Sequence, residues 1–487
     1  MTTTTAEPGT EALDTDRTLE IVRVKDDEND LDSEARGQMQ ERFPVPQPYK
    51  LGPLSIPNYR SPYTQVCLAG LTTFLAVGFF GVLAGLGGAG QVNPIIADDA
   101  NIILYSMFAG VALLSGPIIT YFGPKKCISL GGIGYALYGA SFWCYNNTPN
   151  KGFVLFGGAA CGVGAALLWT SCSVVMLTYS TEEQKGRFIS ILFAIFYMGV
   201  AVGGCIPLGL NFHNAQRGSI SNGTYAELTI LMALSVVPGL LVIDPQHMVR
   251  TDGTKVKLEL EGRPIFDEFK NIWFTLKRDP WILMFMPFSF GSLYYGAYQG
   301  SDFEVYFFDV RTRALDGFLI GLAQVSSSII FGCFLDLRIW RRRQRAFIGW
   351  AILTVFIVAI NTCGYFAMKL SNRDKVIDAL DVQEGGLASE LIALEFFYGF
   401  QDGLDNALAY WLIGCFSNDP RMVATLTGFF KVFGATGSAV AFGQDIHLLP
   451  YSTMFGSYWG IILGGVFLLL PLIYFRVHNT EKEVEVE

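Results

Sequence analysis

Long apolar runs, each about as long as a bilayer-crossing helix, alternate with short polar connections along most of the chain. A span needs about 20 apolar residues. Twelve stretches qualify: residues 64–87, 98–122, 126–146, 152–180, 187–210 and 226–243, then 281–308, 316–336, 346–370, 387–416, 423–444 and 454–475. Membrane-barrel strands would run about ten residues with strict alternation, which these runs lack. Glycines recur inside them at spacing four, as in Gly158…Gly162 and Gly199…Gly203, where small residues let helix backbones approach closely. The pattern predicts an all-α polytopic membrane protein with twelve transmembrane helices in two six-helix halves, 61–243 and 281–475. A connecting segment over 244–280 joins them, and tails cover 1–60 and 476–487.

Composition sharpens this. Of 487 residues, 51% are apolar and 16% charged, with a mean hydropathy of +0.38. A soluble protein carries roughly 25% charged residues, so too little charge is present to cover a water-facing surface. An ordinary soluble enzyme, a disordered chain and a disulfide-stapled secreted domain are excluded. The nine cysteines fall mostly inside apolar runs with no CxxC, as small packing residues rather than metal ligands. The net charge of −9 is uneven: residues 1–60 hold 12 acidic and 7 basic side chains and no apolar periodicity. We read them as a disordered acidic tail. It has no apolar signal region, so the first span acts as the insertion signal.

Lys and Arg set the orientation. With both termini in the cytoplasm, inner segments carry 21 basic residues and outer loops 7. Two glycosylation sequons, at Asn146 and Asn222, then fall in outer loops, which points to the secretory route and a plasma membrane or an endomembrane such as the vacuole, ER or Golgi. In the connecting segment Ile265, Phe266, Phe269, Ile272, Trp273 and Leu276 share one helical face. That helix is expected along the inner membrane surface, or against a membrane-protein partner.

Two six-helix halves joined by an inner loop is the layout of the major facilitator superfamily, whose substrate site lies between the halves near the midplane. The loop after the second span, Gly116 to Lys126, and its counterpart, Gly332-Cys-Phe-Leu-Asp336 followed by a basic cluster, both resemble that superfamily's loop motif. Gly permits close packing, and an acid at a helix end can hold a neighbouring helix N-terminus when the inner side closes. Gly332, Asp336 and Gly116 are therefore gate candidates. Thr120 replaces the acid in the first copy, which weakens its lock.

Three further stretches carry a narrower resemblance: Phe122–Tyr138, Leu168-Trp-Thr-Ser171 with Tyr179–Arg187, and Arg311-Thr-Arg-Ala-Leu315. In order and position they are similar to the uncoordinated-93-like (Unc-93-like) branch of that superfamily, fungal type, over residues 60–475. The resemblance implies a twelve-span fold. It also implies either transport or, as for animal relatives, regulation of a potassium channel or trafficking of a receptor.

Ionisable groups inside a span are expensive and usually face a cavity or a partner. Span ten carries Glu395, Asp402 and Asp405, and span eleven carries Lys431. Depths counted at 1.5 Å per residue allow an acid–Lys431 pair, as a structural pair or as a coupling site that exchanges Lys431 for a proton or cationic substrate. Gly-flanked Tyr294 and Tyr295 in span seven are candidate substrate contacts. Asp302 and Glu304 at its end are expected to be interfacial, and Trp169 to serve packing. The four histidines lie in loops or the C-terminal tail. No nucleotide-binding loop, protease zinc motif, cofactor site or nucleic-acid patch is present. The expected activity is movement of a small solute or ion by alternating access, driven by a proton or cation gradient, rather than catalysis. The alternative is a non-transporting regulator or trafficking factor.

Overall fold

The computed structural model describes residues 43–51, 54–85, 95–211, 221–256, 277 and 279–479, apart from 338, 374, 376, 418 and 419. Helix α1 (Pro62–Thr73) passes through a π-helical turn at Phe74–Gly78 into α2 (Phe79–Gly85). Then come α3 (Ile95–Phe122), α4 (Pro124–Asn147), α5 (Lys151–Thr178) and α6 (Lys185–Asn211). The first half ends with α7 (Asn222–Leu234) and α8 (Val236–Leu240). The second half opens with a broken segment. It holds only α9 (Met286–Gly291) and α10 (Glu304–Phe307) between 3-10 and π turns. Five long helices follow: α11 (Val310–Leu335), α12 (Arg342–Met368), α13 (Leu387–Phe416), α14 (Pro420–Ile446) and α15 (Tyr451–Arg476).

Nine helices among the described residues are long and apolar enough to cross a membrane. The other three expected spans are α4, the broken segment 280–307, and α13 with its four acids Glu390, Glu395, Asp402 and Asp405. Helix starts are set by local chemistry. Asn150 caps α5 by accepting from Phe153 N at 3.2 Å, and Asp309 caps α11 by accepting from Thr312 N at 2.8 Å. Between α3 and α4 the chain reverses at Gly123, whose φ of 80° suits a residue without Cβ, with Pro124 opening the next helix.

Outward faces are apolar: on α12, Val355 is 70% and Phe366 62% exposed, surfaces that lipid covers. Inside, α5 is nearly enclosed, with its residues from Ala165 to Thr178 all buried. The halves meet along two long seams, α6 against α11 and α3 against α14. Each seam is close: a Cβ on Gly321 of α11 would sit within 3 Å of the Ala201 backbone, and Tyr105 stacks on Phe442 with ring centroids 5.8 Å apart.

Near the start of the chain, Tyr49–Leu51 pairs antiparallel with Leu54–Ile56. Phe43 N donates to Gly253 O at 2.8 Å, and Lys255 lies 4.8 Å over the Phe43 ring. The last residues of the 1–60 segment thus rest on the first part of the connecting segment. The acidic run 26–30, the expected amphipathic face 265–276 and the tail beyond 479 lie outside the described residues.

Candidate functional site

Both halves line a central cavity of about 290 Å³. Its walls are aromatic, with Tyr105, Tyr138 and Trp169 from the first half and Tyr295 from the second. Into it reach the charged groups of α13 and α14.

Asp402 is buried and fully bonded. Tyr197 Oη donates to its Oδ2 at 2.8 Å and Gln324 Nε2 to the same oxygen at 3.0 Å. Asn406 Nδ2 donates to Oδ1 at 3.0 Å and to Tyr197 Oη at 3.2 Å. Tyr197 belongs to α6 and the rest to the second half, so the carboxylate is held across a seam. Tyr295 borders the same carboxylate and the cavity.

Lys431 is also buried, but its ammonium does not pair with an acid among the described residues. It lies over three rings instead, 4.5 Å from the Trp169 centroid, 5.1 Å from Phe430 and 5.4 Å from Tyr410. Ring quadrupoles attract a desolvated cation, and Trp169 again comes from the opposite half. The direct acid–Lys431 pair allowed by helix depth is thus not formed. Depth fixes height along the bundle and leaves azimuth free, and aromatic faces occupy the position nearest the ammonium. Trp169 packs on Phe193 and Phe196 as expected and in addition carries this cation.

The remaining candidates separate. Asp405 is buried, yet it takes a bond from Gln401 Nε2 at 3.4 Å and does not border the cavity. Gln401 continues to Tyr458 Oη at 2.9 Å. Tyr294 also turns away, its hydroxyl 3.2 Å from Ser457 Oγ. Glu395 does border the cavity, but it faces Glu304 and Asp316, all three with carboxylate oxygens within 4.8 Å. Glu304, expected at the interface, is only 3% exposed: the π turn at Tyr298–Phe303 swings it inward. Asp302 pairs with Arg373 at 3.0 Å.

At the Lys- and Arg-rich end the halves are tied near α6. Asp336 accepts from Gly186 N at 2.8 Å and from Arg187 N at 2.6 Å. A carboxylate of the second half thus caps a first-half helix and meets the positive end of its dipole. Gly332 is what permits the approach: a Cβ there would collide with Ser190 Oγ and come within 2.9 Å of Gly186 O. Ser190 Oγ also donates to Ser328 O at 3.0 Å, and Arg342 lies 3.6 Å from Glu182 across the seam. The other loop is different. Thr120 Oγ1 bonds back to Gly116 O of its own helix at 3.0 Å, while Gly116 faces Thr425 of α14 at ordinary contact distance.

A family model described as "Ion channel regulatory protein UNC-93" matches residues 99–475, across both halves. The chain belongs to the UNC-93 family. It is 34% identical over 435 residues to an UNC93-like protein of Schizosaccharomyces pombe, covering 88% of this chain and 85% of that one. To UNC93-like protein 1 of Arabidopsis thaliana it is 30% identical over 433 residues, covering 88% and 93%. Among solved structures it is similar to the major facilitator superfamily transporter FucP in the outward conformation. The TM-score is 0.59 and the identity 13%, over 86% of this chain and 99% of that one. This UNC-93 protein is therefore a multi-pass membrane protein of the major facilitator fold.

Three residues of the site were not singled out in the sequence. Tyr197 and Gln324 sit in apolar runs where nothing local marks an aromatic or amide as a partner of Asp402. Asp316 stands at the first residue of an expected span, where an acid ordinarily faces water. Both sequon asparagines lie together: Asn146 Nδ2 donates to Asn222 Oδ1 at 2.7 Å.

Proposed function

We propose that this protein moves a small solute through the central cavity by alternating access, with Asp402 and Lys431 as its coupling groups. The observation that carries the reading is that each charge is held by the opposite half: Asp402 by Tyr197, Lys431 by Trp169. Any rocking of one half against the other changes the environment of both, so solute or proton binding there and the rocking are linked. The cavity, near the lower limit of ligand pockets at about 300 Å³, suits a small solute with an apolar body and one polar or charged end. Asp336 and Gly332 serve as the gate at the basic end, which faces the cytoplasm together with both termini. The membrane is the plasma membrane or an endomembrane, and the protein acts by binding and movement rather than catalysis.

The test is charge movement in proteoliposomes under jumps of protons, potassium, amines, sugars and amino acids. A substrate-dependent current that vanishes in Asp402→Asn and Lys431→Met, with folding intact, is expected. Undiminished current in both variants refutes the site. A second reading draws on the family's description as an ion channel regulator and on the weaker first loop copy. Under it both variants leave the activity intact, while deletions in 1–42 or 257–276 release a membrane-protein partner.

A further inference from the structure

Three acids meet away from Lys431. Glu304 opens α10, Asp316 lies in the second turn of α11, and Glu395 comes from α13; their carboxylate oxygens lie within 4.8 Å of one another. All three are buried, and Asp316 is wholly inaccessible. Both Asp316 oxygens, Glu304 Oε2 and Glu395 Oε1 have no hydrogen-bond partner. Contrast Asp402, some 10 Å further along α13 at 1.5 Å per residue, where three side chains satisfy the carboxylate. Buried carboxylates this close repel strongly unless a positive charge stands among them. Arg313 is within electrostatic reach of Glu304, and no ion pair joins any of the three acids to a Lys or Arg among the described residues.

We propose that Glu304, Asp316 and Glu395 form a binding site for one hard divalent cation of the size of calcium or manganese. The donor set is oxygen only, with no His or Cys, which selects hard cations over zinc or copper. Oxygens that share one ion with bonds of about 2.3–2.6 Å stand no further apart than roughly 4.6–5.2 Å, a limit that these three carboxylates meet. Glu304 and Glu395 both border the central cavity, so an ion has a route in. One ligand stands on the broken segment and two on continuous helices, so binding fixes that segment against α11 and α13.

The test uses the full-length protein in detergent, stripped with a chelator, and needs no transport. Calcium and manganese are titrated by calorimetry and by thermal unfolding. Expected are saturable binding of one ion per chain and a Tm that rises with cation concentration. Asp316→Asn lowers the affinity at least about tenfold. By removing a repelling charge, it also raises the Tm of the metal-free protein, which shows that the lost affinity is not a loss of folding. Glu395→Gln behaves the same way. Absence of saturable binding to the unmodified protein at millimolar cation, or unchanged affinity in both variants, overturns the site. So does a Tm that ignores metal and falls with rising pH, the signature of acids that merely share protons. Loss of flux in Asp402→Asn with metal binding intact separates this site from the coupling site above.

Discussion

Replacing Asp336 with Ala removes both bonds that cap α6 from the opposite half. A hydrogen bond to a charged group contributes about 1.5–3 kcal/mol. Asp336 is half-buried, so screening favours the lower figure, or about 3 kcal/mol for the two bonds. At 1.4 kcal/mol per decade, the ratio of closed to open forms at the basic end falls roughly hundredfold. Spin labels at Glu183 and Ile339, on opposite halves and both exposed, report the separation by pulsed electron resonance. The background carries replacements of the exposed cysteines Cys67, Cys205, Cys333 and Cys363. The variant is expected to shift the distance distribution to longer values, with Asp336→Asn shifting it less because one acceptor survives. Gly332→Ala moves it the same way by steric push, and adding Ser190→Ala relieves only part, since Gly186 O remains 2.9 Å from the new Cβ. An unchanged distribution in Asp336→Ala refutes the gate, whatever the flux shows.

Two further outcomes are expected. Arg373 bonds Asp302 at 3.0 Å, Asp445 at 2.6 Å and Leu449 O at 2.7 Å, and lies 4.4 Å over Tyr451. Arg373→Ala should cost on the order of 3 kcal/mol, seen as a lower Tm in detergent, and Arg373→Lys should recover less than half because one ammonium cannot serve that fork; an unchanged Tm in Arg373→Ala refutes a stabilising role for these contacts. Asn222→Gln should remove an endoglycosidase-sensitive mobility step, and absence of any such step in the unmodified protein argues against an outer position for the α6–α7 loop.

Helix positions were legible because apolar run length is a local property. The close contact of Gly332 and Asp336 with α6 was legible too: both belong to one short motif whose partner, a helix N-terminus, follows from backbone geometry. The broken segment was not, because residues 281–308 are apolar enough to read as one span, and only packing shows where Gly291 to Gly300 leave the α-helix. Nor was the fate of the charges. Asp405 is three residues from Asp402, so its side chain is turned about 60° round α13, enough in the stretch from Gln401 to Cys415, buried on every side, to send one acid to Tyr197 and the other to Gln401. Glu304, Asp316 and Glu395 come from three elements, and no spacing in the chain predicts their meeting.

The two loops resemble the same motif, yet only the second carries a carboxylate there, and it binds the opposite half. Thr120 spends its hydroxyl on its own helix, while Asp336 binds the start of α6, Arg342 reaches Glu182 just before it, and Ser190 of α6 donates to Ser328 O of α11. These three ties at the basic end gather along the α6–α11 edge, like bolts on one side of a door. Under the alternating access proposed above, parting of the halves at that end has to break these ties first.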